Sequence, residues 1–135
     1  TTLFRSWNNM LEGLYHYNIR SDTKTMYKLK DFYTNIVGLK VGHRPAYKSD
    51  GFWLYINDKD VLHLAETKEG DKKKHHVNST FDHAAFHARE FDRYASVLKK
   101  NEIDFYIRVV PEIGKKQIFF KDPVGNGIEL YFVDS

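Results

Sequence analysis

The sequence predicts an α+β fold made of two tandem β-α-β-β-β modules, and two observations carry that prediction. Hydrophobic periodicity switches between the strand and helix patterns in the same order twice along the chain. Polar residues in apolar settings also recur at nearly one offset: His16 and His83 stand 67 residues apart, His63 and Glu129 66 apart. An offset that agrees within one residue at both ends points to a duplicated unit. The first module is expected at about 13–66, a charged linker at about 67–80 and the second module at about 81–133, all within one domain of 135 residues.

Each element has its own signal. "GLYHYNI" (13–19) reads as a strand bounded by Gly13 and "RSD". Met26, Leu29, Phe32, Tyr33 and Ile36 recur at spacings of three and four, the helix period, over about Thr23 to Ile36. Ser21, Asp22 and Thr23 supply its cap, and Gly38 stops it. Three strands follow, "LKVGHR", "GFWLYI" and "VLHLAE", with the turn "NDKD" between the last two. The second module repeats the order. "FDHAAFHA" is a strand, and Phe91 to Asn101 a helix with Phe91, Tyr94, Ala95 and Leu98 on its apolar face. Then come "DFYIRVV", "KQIFFK", the turn "DPVGNG" and "IELYFV".

Composition narrows the function. Hydrophobic residues make up 41% and charged residues 29%, an ordinary balance for a globular domain. The formal charge of +3 is mild, and the one dense basic run, "DKKKHH" at 71–76, reads as a solvated linker rather than a nucleic-acid face. His75 and His76 belong to that linker. No apolar run reaches the length needed to cross a membrane, and "TTLFRSWNN" lacks the form of a secretory signal, so a cytoplasmic protein is expected. There is no cysteine, which excludes disulfides and thiolate zinc sites. Any metal must be held by His, Asp or Glu.

Four residues have the right chemistry. His16, His63, His83 and Glu129 occupy the first and last strands of each module, in the settings "LYHYNI", "VLHLAE", "FDHAAF" and "GIELYF". A carboxylate between Ile128 and Leu130 is costly to bury without a partner. If the modules pair about a pseudo-twofold axis, these strands meet in the middle of one concave sheet. Two imidazoles and a carboxylate, His16, His83 and Glu129, then match the facial set that suits Fe(II) and also takes Mn(II), Zn(II) or Ni(II). His63 is a fourth ligand, an acid–base group or a donor that orients Glu129. His87 and His43 are read as rim or substrate contacts. Arg108, Gln117 and Tyr131 are wall residues. Of the alternating pairs Trp53/Tyr55 and Phe52/Leu54, one faces the site, and the sequence does not say which. The first dozen residues, Trp7 and Met10 among them, are candidates for an interface.

The segments "YHYNIRSD", "FYTNIVGLKVG", "GFWLYI...VLHLAE", "FDHAAFHA" and "QIFFKDPVGNGIELYF" resemble the vicinal oxygen chelate superfamily, over nearly the whole chain from Leu14 to Val133. That group holds glyoxalase I, extradiol dioxygenases, methylmalonyl-CoA epimerase and the fosfomycin- and bleomycin-resistance proteins. The most specific stretch is the "DP-x-G-x-x-I-E-L" turn and strand. The resemblance implies a curved mixed sheet forming a cup with helices outside (the glyoxalase-like fold), metal ligation by His16, His83 and Glu129, a small substrate whose vicinal oxygens chelate the metal, and a homodimer in many relatives. Position 63, where glyoxalase I has Glu, departs from that pattern. The departure moves the expectation from a glyoxalase I-like lyase or isomerase toward an extradiol dioxygenase-like enzyme, with His63 as its acid–base residue. Drug binding of the bleomycin-resistance type is the non-enzymatic alternative, and retention of the ligand set argues against it.

Overall fold

The computed structural model of the protein describes residues 10–68, 71, 73, 75 and 79–134. Both expected modules form, in the expected order. Strand β1 runs from Tyr17 to Ser21, later than the apolar run that predicted it, so His16 stands just before the strand. Helix α1 (Thr23–Phe32) is capped by Asp22, whose carboxylate accepts from the Thr25 amide at 2.9 Å, and it buries Met26 and Leu29. The helical pattern continues as a wider π turn over Tyr33–Val37. The amides of Gly38 and Leu39 both donate to the Tyr33 carbonyl, and Gly38 ends the turn at φ 103°, a conformation that favours glycine. A regular helix over this span would not have shown that extra width.

Strands β2 (Lys40–Gly42), β3 (Gly51–Ile56) and β4 (Lys59–Glu66) complete the first module. The second contains β5 (His83–Ala88), α2 (Phe91–Lys100), β6 (Phe105–Val109), β7 (Lys116–Lys121) and β8 (Gly127–Phe132). The strands form two mixed four-stranded sheets of identical plan, in the orders β1-β4-β3-β2 and β5-β8-β7-β6. In each, the first strand of the module runs parallel to the last and the others pair antiparallel. Hydrogen bonding therefore does not join the modules into a single sheet among the described residues.

The register bears out the duplication at residue level. His63 pairs with Asn18 and Trp53, and Glu129 at the corresponding point pairs with Ala85 and Phe119. Alternation sends Leu54, Leu62 and Leu64 to the core from the first sheet, and Ile118, Phe120, Ile128, Leu130 and Phe132 from the second. The modules interlock through this core on the helix side. Tyr33 donates its hydroxyl to Asp122 at 2.8 Å, Tyr94 donates to the Val37 carbonyl at 2.6 Å, and the Phe32 and Phe120 rings lie 6.2 Å apart. The opposite faces of both sheets are left to the polar and aromatic residues of the candidate site.

A candidate metal centre in two halves

Period-two alternation puts His83, Glu129, Gln117, Phe119, Tyr131, His87, Tyr106 and Arg108 on one face of the second sheet, since these residues are cross-strand partners or lie two apart. At its centre His83 Nε2 and Glu129 Oε1 are 3.0 Å apart. The remaining atoms of both groups are held from outside. The other His83 nitrogen, Nδ1, lies 2.7 Å from Asp82 Oδ2, and Gln117 Nε2 donates to Glu129 Oε2 at 2.9 Å. The Asp82 hydrogen bond, with smaller help from the Glu129 charge and against burial, raises the His83 pKa. Gly127 permits this closeness: a Cβ there would lie 2.2 Å from the Asp82 carbonyl oxygen and 2.9 Å from the His83 Cβ. Glu129 itself is buried.

The first sheet carries the other half as a stack of rings. His63 lies flat between Trp53 (centroids 4.0 Å, planes 7° apart) and His16 (3.7 Å, 17°). Tyr15 closes the stack edge-on against His16 at 4.3 Å. Trp53 and Tyr55 are therefore the pair on the site face. Phe52 belongs to the helix side, against Tyr27 and under the Lys30 ammonium. The Nδ1 atom of His16 is buried with no hydrogen-bond partner, and burial first, then the neighbouring His63, lowers the His16 pKa. A buried nitrogen without a partner costs roughly 1–3 kcal/mol.

Two residues of this half were not read from the sequence. Asp60 Oδ2 accepts from the Tyr15 hydroxyl at 2.5 Å and lies 2.7 Å from His63 Nε2. The hydrogen bond to Asp60 pushes the Tyr15 pKa up to about 12, and the Tyr15 and His63 contacts lower that of Asp60 against desolvation. Strict alternation would put Asp60 and His63, three residues apart, on opposite faces. A β-bulge between Leu54 and Tyr55 slips the register so that Tyr55 faces Asp60, and this brings the carboxylate round to His63. Asp82, beside His83 in "FDHAAF", was readable as a flanking carboxylate.

Other candidate residues are placed as follows. The His87 ring meets Tyr131 edge-on at 5.8 Å, further up the face from Glu129. His43 is exposed just after β2, and its carbonyl accepts from the Tyr55 hydroxyl at 2.6 Å. Met10 is exposed, and Trp7 and His76 lie outside the described residues. A cleft of about 880 Å³ opens at one end of the second sheet, lined by His83, Tyr106 and Phe119 from the site face and by Phe105, Phe120 and Ile128 from the other; Glu129 does not line it. Each sheet thus holds a pair of candidate ligands. Among the described residues no three His, Asp or Glu side chains gather to hold a metal ion. Imidazole and carboxylate are donor types that divalent cations take.

A family model described as Glyoxalase/Bleomycin resistance protein/Dioxygenase superfamily matches residues 15–130. No match is found among curated proteins. Solved structures with a similar fold include lactoylglutathione lyase from Agrobacterium tumefaciens (16% identity, TM-score 0.65, covering 93% of this chain and 96% of that one). A glyoxalase family protein from Enterococcus faecalis matches at 23% identity and TM-score 0.62, over 90% of this chain and 98% of that one. A variant of the fosfomycin resistance protein FosX from Listeria monocytogenes, in complex with Mn(II) and 1S,2S-dihydroxypropylphosphonic acid, matches at 23% identity and TM-score 0.65, over 90% and 93% of the two chains.

Proposed function

The chain belongs to the glyoxalase/bleomycin resistance protein/dioxygenase superfamily, and from that premise we propose that it is a divalent-metal enzyme acting on a small substrate that chelates the metal through adjacent oxygens. His16, His83 and Glu129 are the ligands in this reading. The observation that carries it is the convergence of His83 Nε2 and Glu129 Oε1 at 3.0 Å, with the far atom of each fixed by Asp82 and Gln117. Ligands oriented from behind in this way are characteristic of metal sites. His16 is the third donor in this reading. Because the described residues of one chain do not gather all three, the site is assembled in a homodimer, with His16 from one protomer and His83 and Glu129 from its partner.

The bound metal supplies Lewis-acid charge to the substrate oxygens. The protein's own groups divide the remaining work. His63, wedged between Trp53 and His16, has its Nε2 tied to Asp60 and serves as an acid–base group rather than a fourth ligand. Phe119 and Tyr106 offer ring surface to a substrate of modest size beside His83. Three protein ligands leave positions open for a bidentate diol and a further small molecule. Extradiol dioxygenase-like cleavage, with Fe(II), is therefore the preferred reaction; Mn(II), Zn(II) and Ni(II) suit the same donors. A second reading, a glyoxalase I-like lyase or isomerase, gains from one finding: Asp60 provides beside His63 a carboxylate that position 63 lacks.

Elemental analysis of untagged protein purified without oxygen tests the proposal. About one equivalent of iron per chain, lost in His83→Ala, is the expected result, and catechol ring opening is then assayed. Zinc or nickel in that place moves the reaction to the lyase or isomerase. Protein that carries no metal and takes up none on titration overturns the enzyme reading and leaves a small-molecule binding protein.

A further inference from the structure

The three proposed ligands are not held alike. A histidine that binds a metal is ordinarily fixed by a hydrogen bond at its other ring nitrogen, as Asp82 fixes His83. His16 has no such bond. Its Nδ1 is buried without a partner among the described residues, which leaves Nε2 as the nitrogen able to face a cation. Regular structure does not fix His16 either. Residues 11–16 belong to no strand or helix, the β1 ladder begins at Tyr17, and Met10, Leu11 and Leu14 are exposed rather than packed on the core. Rings take over that task. His63 covers one face of the imidazole at 3.7 Å, and Tyr15 stands edge-on to it at 4.3 Å, 85° from parallel.

Both rings of this clamp are tied to one atom. Asp60 Oδ2 accepts from the Tyr15 hydroxyl at 2.5 Å and lies 2.7 Å from His63 Nε2. The two tied rings are 5.9 Å apart and 88° from parallel, so together they bound His16 on a face and an edge. An exposed tyrosine on an irregular segment has several rotamers open to it, and the bond to Asp60 selects the one that meets His16. We infer that Asp60, acting through Tyr15 and His63, is the positioning residue that aims His16 at the metal. The inference rests on the metal-centre reading above and adds to it what holds the third ligand. It gives Asp60 a part that needs an acceptor and no charge, unlike the carboxylate of the lyase or isomerase reading.

Titration with Mn(II), followed by electron paramagnetic resonance, tests this on wild type, His16→Ala, Tyr15→Phe, Asp60→Ala and Asp60→Asn, with circular dichroism to check the fold. Tyr15→Phe keeps the ring and removes only the hydroxyl, and it is expected to weaken Mn(II) binding about 10-fold. Asp60→Ala releases both rings and should cost up to about 100-fold. Asp60→Asn keeps an acceptor and should stay within about threefold of wild type. Because Tyr15 acts through Asp60, adding Tyr15→Phe to Asp60→Ala should cost no further affinity. At saturating Mn(II), the spin-echo signal of coordinated imidazole nitrogen should come from His16 and His83 in wild type and lose the His16 part in Asp60→Ala. A purely structural role would lower the unfolding midpoint and leave that signal intact. If His16→Ala loses Mn(II) but either Tyr15→Phe or Asp60→Ala binds it as tightly as wild type, the inference is overturned and the metal centre stands. Asp60→Asn falling as far as Asp60→Ala also overturns it, since charge would then be the cause. If wild type takes up no Mn(II), or His16→Ala binds it equally well, the metal-centre reading falls and takes this inference with it.

Discussion

Glu129→Ala is expected to weaken Mn(II) binding by on the order of 1,000-fold, the largest effect of any single change. Residues that orient a metal ligand carry about 10- to 100-fold of affinity, and the ligand itself carries more. Glu129 is the one carboxylate of the proposed set and the one negative charge facing the cation. Its burial between Ile128 and Leu130 makes sense only if a partner offsets the loss of hydration. Glu129→Gln separates charge from shape: it keeps an acceptor for Gln117 and still loses most of the affinity. Gln117→Ala, which removes the orienting amide at 2.9 Å, is expected in the 10- to 100-fold range. Titration followed by Mn(II) electron paramagnetic resonance measures all three, with circular dichroism to check that the fold persists. Wild-type affinity in Glu129→Ala would remove Glu129 from the site.

Asp122→Ala is expected to destabilise the fold by roughly 3 kcal/mol, a fall of about 10 °C in the unfolding midpoint. Asp122 is buried at the start of the turn that leads into β8. Its Oδ1 accepts from the amides of Val124 and Asn126, and its Oδ2 from the Asn126 side chain and the Tyr33 hydroxyl. The last bond crosses from the π turn of the first module to the second. Alanine therefore strands several donors at once and loosens both the Glu129 turn and the join between modules. The conservative change Asp122→Asn retains acceptors for part of the set and should lose about a third as much. Thermal unfolding of the wild type and the two variants measures the difference. A change below about 0.5 kcal/mol in Asp122→Ala would show that the turn holds itself.

Particular residues show where the sequence was sufficient. The 67- and 66-residue offsets set His16 against His83 and His63 against Glu129; the strand registers repeat the second correspondence, and His16 stands one residue before β1. Gln117, Tyr131 and Arg108, read as wall residues, and His87, read as a rim residue, share one face because each occupies a regular strand in which every second residue points the same way. The signals failed where regularity failed. Asp60 joins His63 only through a bulge, a one-residue slip that leaves no clear mark in composition. The π turn kept enough of the helical spacing to read as plain helix. Whether Trp53 or Phe52 faced the site depended on which side the helix packed, a tertiary fact. The expected meeting of all four strands in one concave sheet is likewise a question of how modules pair. Alternation within a strand carries no information on it.

The claim that one protomer supplies His16 and its partner supplies His83 and Glu129 is tested most directly by mixing two inactive chains. His16→Ala keeps the second half-site and Glu129→Ala keeps the first. Each homodimer alone should bind no metal. Co-refolded or co-expressed and isolated as the mixed dimer, the pair contains one complete site, formed by His16 of one chain with His83 and Glu129 of the other. The expected result is one metal ion per mixed dimer, half the wild-type content. A mixed dimer as empty as its parents, beside a wild type that is loaded, would contradict the shared site and return all three ligands to a single chain.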